Sequence, residues 1–459
     1  MNTLFQTDSF DIFPLVFPIG ESTEITVKSR GKRQTLSGDI SVTVHDACAG
    51  SPSEEFSKWN EQKFNCKASD GEICFEYTAK REGEYFVRLY QNNQLIARLR
   101  VYALEKDLAC RYPLRGDFHV HTTGSDGQES PQVVCANYRK IGYDFIVITD
   151  HDRYYPSLSA IEFYKGVAIP LNILPGEEVH LPGTTVHVVN AGGLFSVNGL
   201  LPMKENYLDT NGELSKRRFD DSVNPPAVLE MDEFWRQIDI IESGLKTGEN
   251  PIPKSLDSRS YAVCLWIFEK VRMAQGLGIF CHPNWINDLY QIPEDFTRYM
   301  LKNHPFDAFE VLGGENYYEQ NGLQTAMYYD EYRYGRVHPI VGSTDSHGST
   351  PQNRNYNLCS TIVFATKNER AEIIDAVKQR YSVAVDTLSK EYRIVGEYRL
   401  QKYATFLMET YFPIHDEQAL IDGMLMGKYA LGGATKEEVD IISARAKVLR
   451  DKYIKISKI

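Results

Sequence analysis

Through about residue 110 the chain alternates apolar and polar side chains in short runs. Glu24-Ile25-Thr26-Val27 and Ile40-Ser41-Val42-Thr43-Val44 have the two-residue period of half-buried strands. Tyr85-Phe86-Val87-Arg88-Leu89-Tyr90 and Leu95-Ile96-Ala97-Arg98-Leu99-Arg100-Val101-Tyr102 flank Gln91-Asn92-Asn93-Gln94, whose asparagines tolerate the positive φ of a tight hairpin turn. Residues 1–110 are therefore expected to form a small antiparallel β-sandwich, with packing or docking as its plainest role. Past a polar connector at about 105–115, apolar strand-like runs are separated by stretches long enough for helices, the pattern of parallel β/α units. Residues 115–395 are read as an α/β domain with a TIM-like barrel. At about 200–260 turn formers and charges surround one helix near Glu233 to Ser243, which predicts an insertion over the barrel mouth. Residues 396–459 place apolar positions at helical spacing and predict a C-terminal helical extension for packing or oligomer contact.

The ends of the apolar runs carry the chemistry. Asp144-Phe145-Ile146-Val147-Ile148 stops at Thr149-Asp150-His151, Gly278-Ile279-Phe280 at Cys281-His282-Pro283, and Pro339-Ile340-Val341 at Gly342-Ser343-Thr344-Asp345-Ser346-His347. Metal-capable residues thus repeatedly follow predicted strands, and α/β barrels build their active sites at such ends. In Gly116-Asp117-Phe118-His119-Val120-His121, strand alternation turns both imidazoles to one face, and Asp126 can return from the Gly-containing loop that follows. Glu178 and His187 close further predicted strands. Of the eleven histidines, six (His119, His121, His151, His187, His282 and His347) fall at strand ends beside carboxylates, while His45, His304, His338 and His415 do not. Unrelated core histidines have no reason to repeat this placement. His180, two residues past Glu178, is left outside the ligand set, as a substrate contact or a lining of the mouth.

Imidazole suits Zn, Fe and Mn, and carboxylates suit Mn, so the donor set points to these divalent ions. Six histidines with Asp126, Glu178 and Asp345 exceed the needs of one ion. With bridging carboxylates they serve two or three, leaving positions for water and substrate. Such ions acidify a water and hold substrate oxygens as charge builds, so the residues predict metal-assisted hydrolysis. Asp126, Glu178, Asp345 and His347 are expected to act through the bound ions.

Composition narrows the partners. At 459 residues the chain exceeds one ordinary domain of roughly 100–200 residues. A net charge of -12 disfavours long nucleic acid, because phosphate contacts dominate that affinity. The eight cysteines show no C-x-x-C pair, so reduced thiols are expected and a zinc-thiolate cluster is not. MNTLFQTDSFDIFPLVFPIG lacks the basic and sustained apolar regions of a signal peptide, and no segment is apolar enough for a membrane span. A cytoplasmic location and a small-molecule substrate are the corresponding expectations.

GDFHVHTTGSDG, FIVITDHD, PGEEV with VHVV, FCHP and STDSH together resemble the motifs of the PHP superfamily, named for polymerase and histidinol phosphatase, over roughly residues 115 to 390. The resemblance implies a distorted seven-stranded β/α barrel with a trinuclear site. Its ligands would fall on His119, His121, Asp126, His151, Glu178, His187, His282, Asp345 and His347. In the doubled acid Glu177-Glu178, the G-x-E pattern followed by a hydrophobic residue selects Glu178. Asp150 and Asp152 are placed around the ligands, where carboxylates orient ligating imidazoles. A sandwich ahead of LRGDFHVHT is also similar to the carbaryl-hydrolase-like (CehA/McbA) branch of that superfamily.

The word phosphate enters with this resemblance, and the expected reaction is hydrolysis of small phosphate esters. Ester or carbamate hydrolysis and a non-catalytic, metal-stabilised module remain as alternatives. A nuclease would need a basic track, which is not evident. Substrate-facing candidates are Arg354, Arg218, His180 and Trp285, with Lys204 and Arg217 alongside Arg218 in the expected insertion and Tyr154 and Tyr155 just after FIVITDHD.

Overall fold

Alternation governs the first strands: in Thr23–Ser29, Ile25 and Val27 are buried while Glu24 and Lys28 face solvent. The computed structural model describes residues 9–31, 34–47, 61–202, 227–313, 318–353, 356–387 and 393–457. The chain divides into two compact units, residues 1–112 with 402–415 and 444–459, and residues 113–401 with 416–443.

The first unit contains β1 (Phe10–Phe13), β2 (Val16–Pro18), β3 (Thr23–Ser29), β4 (Gly38–Asp46), β5 (Gln62–Ala68), β6 (Glu72–Tyr77), β7 (Gly83–Gln91) and β8 (Gln94–Leu104). They form two sheets, β1-β3-β6 and β2-β8-β7-β4-β5. Ring contacts join the sheets: Phe64 meets Phe75 at 5.0 Å, and Tyr77 meets Tyr85 at 5.6 Å. The β7–β8 hairpin turns at Asn92 and Asn93, with φ of 51° and 60°, as the Asn-rich turn predicts. Among the described pairings of these eight strands, only β2–β8 is parallel. The C-terminal helices are shared between the units: Tyr403 and Phe406 pack on Tyr102 in the first, while Asp416 and Asp422 belong to the second.

The second unit contains β9 (Tyr112–Val120), β10 (Phe145–Ile148), β11 (Asn172–Leu174), β12 (Gly176–Val179), β13 (Val188–Ala191), β14 (Leu277–Phe280), β15 (Ile286–Asn287), β16 (Leu289–Tyr290), β17 (Ala308–Leu312), β18 (Ile340–Gly342), β19 (Cys359–Ala365), β20 (Ser382–Asp386) and β21 (Arg393–Val395). Its main sheets run β11-β10-β9-β19-β20-β21 and β12-β13-β14-β17-β18. The α/β class expected from the sequence is what these sheets and their helices form. A continuous, all-parallel barrel is not: β12, β13 and β14 pair antiparallel, and the two sheets do not close into one ladder. The connection between β12 and β13 is too short for the crossover that a parallel pair requires. Single parallel bridges, Val120 to Ser346 and His151 to Glu178, link the two sheets.

The helix Met231–Thr247 covers the segment near Glu233 to Ser243, but it is part of the core: Phe234 and Ile238 are buried, and Phe234 meets Trp266 at 5.2 Å. Lys204, Arg217, Arg218 and Arg354 lie outside the described residues. The helix Phe412–Ala430 is tied to the second unit by charge and by close approach. Asp422 takes the buried Arg139 guanidinium at 2.7 Å. At Gly423 a Cβ would collide with the backbone nitrogen of Lys140, so only glycine fits there. Among the described residues no helix is long and apolar enough to cross a membrane.

Candidate metal centre

The alternation of β9 turns Asp117, His119 and the following His121 to one face, and all three are buried. His119 Nε2 lies 3.3 Å from both Asp345 Oδ1 and Glu178 Oε2. His121 Nε2 lies 2.9 Å from Asp345 Oδ1 and 3.5 Å from Glu178 Oε2. On β12 the two acids separate to opposite sides. Glu177 accepts hydrogen bonds from Asn190 Nδ2, Ser196 Oγ, the Val197 backbone N–H and Asn198 Nδ2. Glu178 faces the imidazoles: His151 Nδ1 and His187 Nδ1 each stand at 2.7 Å, with His180 Nε2 at 3.2 Å and His282 Nε2 at 3.4 Å.

Toward the outside, Asp126 Oδ2 lies 3.4 Å from His347 Nε2, and Asp126 Oδ1 lies 3.6 Å from His151 Nε2. The side chains of His119, His121 and Glu178 are fully buried, whereas Asp126 is 57% exposed and His347 33%, so the cluster is closed below and open on one side. All nine residues expected as ligands meet here. Among the described residues five overlapping sets have donor atoms close enough to surround an ion: His119, His121, Glu178 and Asp345; His121, Asp126, His151 and His347; Glu178, His187 and His282; His151, Glu178 and His180; and His119, Cys281 and His282.

The donor atoms themselves test whether ions fit. His119 Nε2, His151 Nδ1, His187 Nδ1 and both Glu178 oxygens are buried without a hydrogen-bond partner, despite their short separations. These nitrogens and carboxylate oxygens converge on shared space. A buried polar atom left unpaired costs about 1–3 kcal/mol, and a cation at the convergence satisfies several at once.

Charge follows the same plan. Burial works against the ionised carboxyls of Glu178 and Asp345, yet the surrounding imidazoles outweigh it and hold both well below the usual range. Burial pushes His121 down to about 3 and His187 down to about 4. His151 is raised to about 9, because Glu178 at 2.7 Å outweighs burial. Three non-glycine residues of these loops, Asp152, His282 and Asp345, have φ of 57°, 26° and 47°, which is backbone strain concentrated at the site.

Three contributors go beyond the sequence reading. His180 lies within the cluster, its ring stacked on His187 at 3.8 Å and its Nε2 against Glu178. Glu310 on β17 is fully buried; its Oε2 lies 3.1 Å from His119 Nδ1, and its Oε1 accepts the His282 backbone N–H at 3.1 Å. Asp117 accepts the backbone N–H groups of His119 and Thr344. The lone acid in the apolar strand Ala308-Phe309-Glu310-Val311-Leu312 is unusual in the sequence, but it does not tell which residue it meets.

Other expected participants take different places. Asp150 accepts from the backbone N–H and hydroxyl of Thr122 and of Ser125, so it holds the loop that carries Asp126 rather than an imidazole. Asp152 donates its backbone N–H to the Glu178 carbonyl. Tyr154 is buried with its hydroxyl on the Gly193 carbonyl, and Tyr155 begins the helix Tyr155–Phe163. Trp285 stands beside the cluster, 6.0 Å from the His282 ring and 6.3 Å from that of His187. Cys281 lies near His119 and His282, but its Sγ donates to the His187 carbonyl, and burial raises the thiol well above its ordinary range.

No family model matches the chain, and no curated protein matches it. Solved structures give distant likenesses. A two-domain protein from Bacteroides vulgatus, containing a predicted PHP-like metal-dependent phosphoesterase, is 17% identical over 66% of this chain and 71% of its own, with a TM-score of 0.39. A proposed metal-dependent phosphoesterase from Bifidobacterium adolescentis is 16% identical over 51% of this chain and 89% of its own, with a TM-score of 0.31. An amidohydrolase from Chromobacterium violaceum, with bound sulfate and no metal, is 13% identical over 51% and 87%, with a TM-score of 0.25. Scores this low carry no argument, and the reading of the site rests on its own residues.

Proposed function

We propose that this chain is a metal-dependent hydrolase acting on phosphate esters of small molecules. The observation that carries the reading is Glu178, a buried carboxylate ringed by imidazoles whose oxygens have no hydrogen-bond partner. His119, His121, Asp126, His151, Glu178, His187, His282, Asp345 and His347 are assigned as ligands, and His180 joins them at the edge. Two or three divalent ions, Zn, Mn or Fe, when bound there acidify a water and neutralise charge on phosphoryl oxygens.

The residues of the chain do the rest. Glu178 and Asp345 supply the fixed negative charge that keeps cations in a buried place. Asp126 and His347 hold the open edge, where water and substrate enter. Asp117 and Glu310 fix the backbone and ring of His119. In the reaction water oxygen bonds to phosphorus, the ester P–O bond breaks, and the proton from water ends on the leaving alcohol. The phosphate in this reading comes from the PHP resemblance of the motifs. The seven-stranded ring that the resemblance implies would be β9, β10, β12, β13, β14, β17 and β18; the two single bridges between the sheets favour it.

The test is elemental analysis of the purified protein alongside turnover of p-nitrophenyl phosphate, its bis-ester and p-nitrophenyl acetate after chelation and resupply of Mn, Fe or Zn. Two or more ions per chain with metal-restored phosphatase turnover is the expected result. Turnover of acetate alone transfers the reading to an ester or carbamate hydrolase, and protein without stoichiometric metal refutes both.

A further inference from the structure

The proposed ligands differ in what stands behind them. A histidine that holds an ion through one ring nitrogen ordinarily donates an N–H from the other to an acceptor, which fixes the ring and makes it a better ligand. His119 and His347 are built this way. The outer nitrogen of His119, Nδ1, meets Glu310 Oε2 at 3.1 Å, and that of His347, also Nδ1, meets the Asp345 carbonyl at 3.0 Å. Both leave Nε2 toward the cluster.

His187 is built the opposite way. Its Nδ1 stands 2.7 Å from Glu178 Oε1, so Nε2 is the outer nitrogen, and Nε2 meets Gln291 Nε2 at 2.7 Å. A carboxamide nitrogen donates and does not accept. The same Gln291 nitrogen donates to the Thr185 carbonyl at 2.9 Å, and turning the amide over would set two oxygens face to face there. The Gln291 backbone is also held: its N–H donates to the Trp285 carbonyl at 2.9 Å, and its carbonyl accepts from Thr185 Oγ1 at 3.3 Å. His187 Nε2 therefore accepts, and the ring proton of the neutral imidazole is left on Nδ1, the atom that an ion needs. His282, which shares Glu178 with His187, has no acceptor behind it either. Its Nε2 faces Glu178 at 3.4 Å, and its Nδ1 is buried without a hydrogen-bond partner.

We propose that the position bounded by Glu178, His187 and His282 is the loosely held, exchangeable one of the centre, and that Gln291 makes it so by keeping the His187 proton on Nδ1. The proposal rests on the reading of the cluster as a metal centre. For an ion to bind there the ring proton must pass from Nδ1 to Nε2. Two donors then oppose each other, unless the amide turns against the Thr185 carbonyl. His119 and His347 face no such conflict. Gln291 is a positioning residue, acting on the ion through His187 alone.

The test has one arm without metal and one with it, both on the full chain. In metal-free protein labelled with ¹⁵N-histidine, the His187 signal, identified by its loss in His187→Ala, should show a protonated Nδ1 and a bare Nε2. A proton on Nε2 overturns the proposal. In Zn(II) titrations against a chromophoric chelator, the last ion should bind at least about tenfold more weakly than those before it, the effect of one unfavourable buried polar contact. Gln291→Ala removes the opposing donor and should tighten that last step by about tenfold, whereas loss of an ordinary supporting partner weakens binding by about 10–100-fold. Gln291→Glu, which presents an acceptor to Nε2, should tighten it as well. Circular dichroism confirms that each variant folds. Ions bound with equal affinity in the wild type, or a last step that folded Gln291→Ala leaves unchanged or weaker, also overturns the proposal. Protein that binds no stoichiometric metal refutes instead the reading on which it stands, and the metal-free tautomer is measured independently of that result.

Discussion

Replacing Glu310 with alanine should weaken metal binding without touching a ligand. Its carboxylate holds His119 through Nδ1, leaving Nε2 for an ion, and it fixes the backbone N–H of His282, the first atom of another proposed ligand. Both hydrogen bonds are 3.1 Å long, and the side chain is fully buried, so water does not readily take the place of the carboxylate. Removing the outer partner of a ligating histidine typically lowers metal affinity by about 10–100-fold, which is roughly 1.4–2.8 kcal/mol. Because alanine removes the support of two proposed ligands at once, the variant should fall toward the upper end. Glu310→Gln keeps one acceptor oxygen but presents N–H to the second donor, so its affinity should fall between wild type and alanine. Competition against a chromophoric chelator measures affinity, and Co(II) absorption reports ligand geometry. Circular dichroism of the metal-free proteins separates loss of fold from loss of the site. If folded Glu310→Ala binds the same number of ions with wild-type affinity, the positioning argument fails.

Four further outcomes follow from the geometry. His119→Ala or Asp345→Ala should abolish turnover with the fold retained; unchanged activity in either removes the cluster from the mechanism. In the metal-free protein His151 carries its proton up to about pH 9, and a ring must be neutral to ligate. Metal affinity should therefore keep rising with pH toward about 9 rather than levelling near the ordinary histidine value of about 6.5, and a plateau by pH 7 in a chelator titration would contradict this. Chelation should lower stability, since ions at about a thousand times their Kd add roughly 4 kcal/mol to the folded state; an unchanged melting temperature on chelation would count against bound ions. Asp422→Ala leaves the buried Arg139 guanidinium with Asp144 as its remaining carboxylate and should cost about 1.5–3 kcal/mol in urea denaturation, the range for losing a charged hydrogen bond, while a loss under about 0.5 kcal/mol would show the pair to be dispensable.

The parts of the site that are legible in the sequence are those set by local rules. Two-residue alternation is a property of the strand itself, so His119 and His121 on one face and Glu177 opposed to Glu178 can be read without a fold. Strand ends are also local, which is why His151, His282, Asp345 and His347 stand out. Glu310 does not, because it meets His119 across 191 residues, and an acid in an apolar strand does not declare its partner. His180 falls outside the expected ligands because its strand, β12, ends at Val179, and nothing past that point fixes its direction from sequence. The antiparallel β12–β13–β14 arrangement escapes a reading built on β/α repeats; the brevity of the link between β12 and β13 is the available clue. The helix Met231–Thr247 resembles part of a lid because turn formers surround it, although Phe234 and Ile238 anchor it in the core.

The spread of the ligands along the chain has a consequence for timing. His121 contacts Asp345 across 224 residues, and the bridge that carries β9 onward pairs Val120 with Ser346. An emerging polypeptide therefore holds HVH and TDHD long before it has the aspartate that joins them. Closing so long a loop is slow and entropically uphill until both sheets are in place. On the proposed ligand assignment, the early histidines make an incomplete set until residues 345–347 arrive. Any preference among ions that this site has would then be set at the end of folding, when the buried Glu178 and its ring of imidazoles come together.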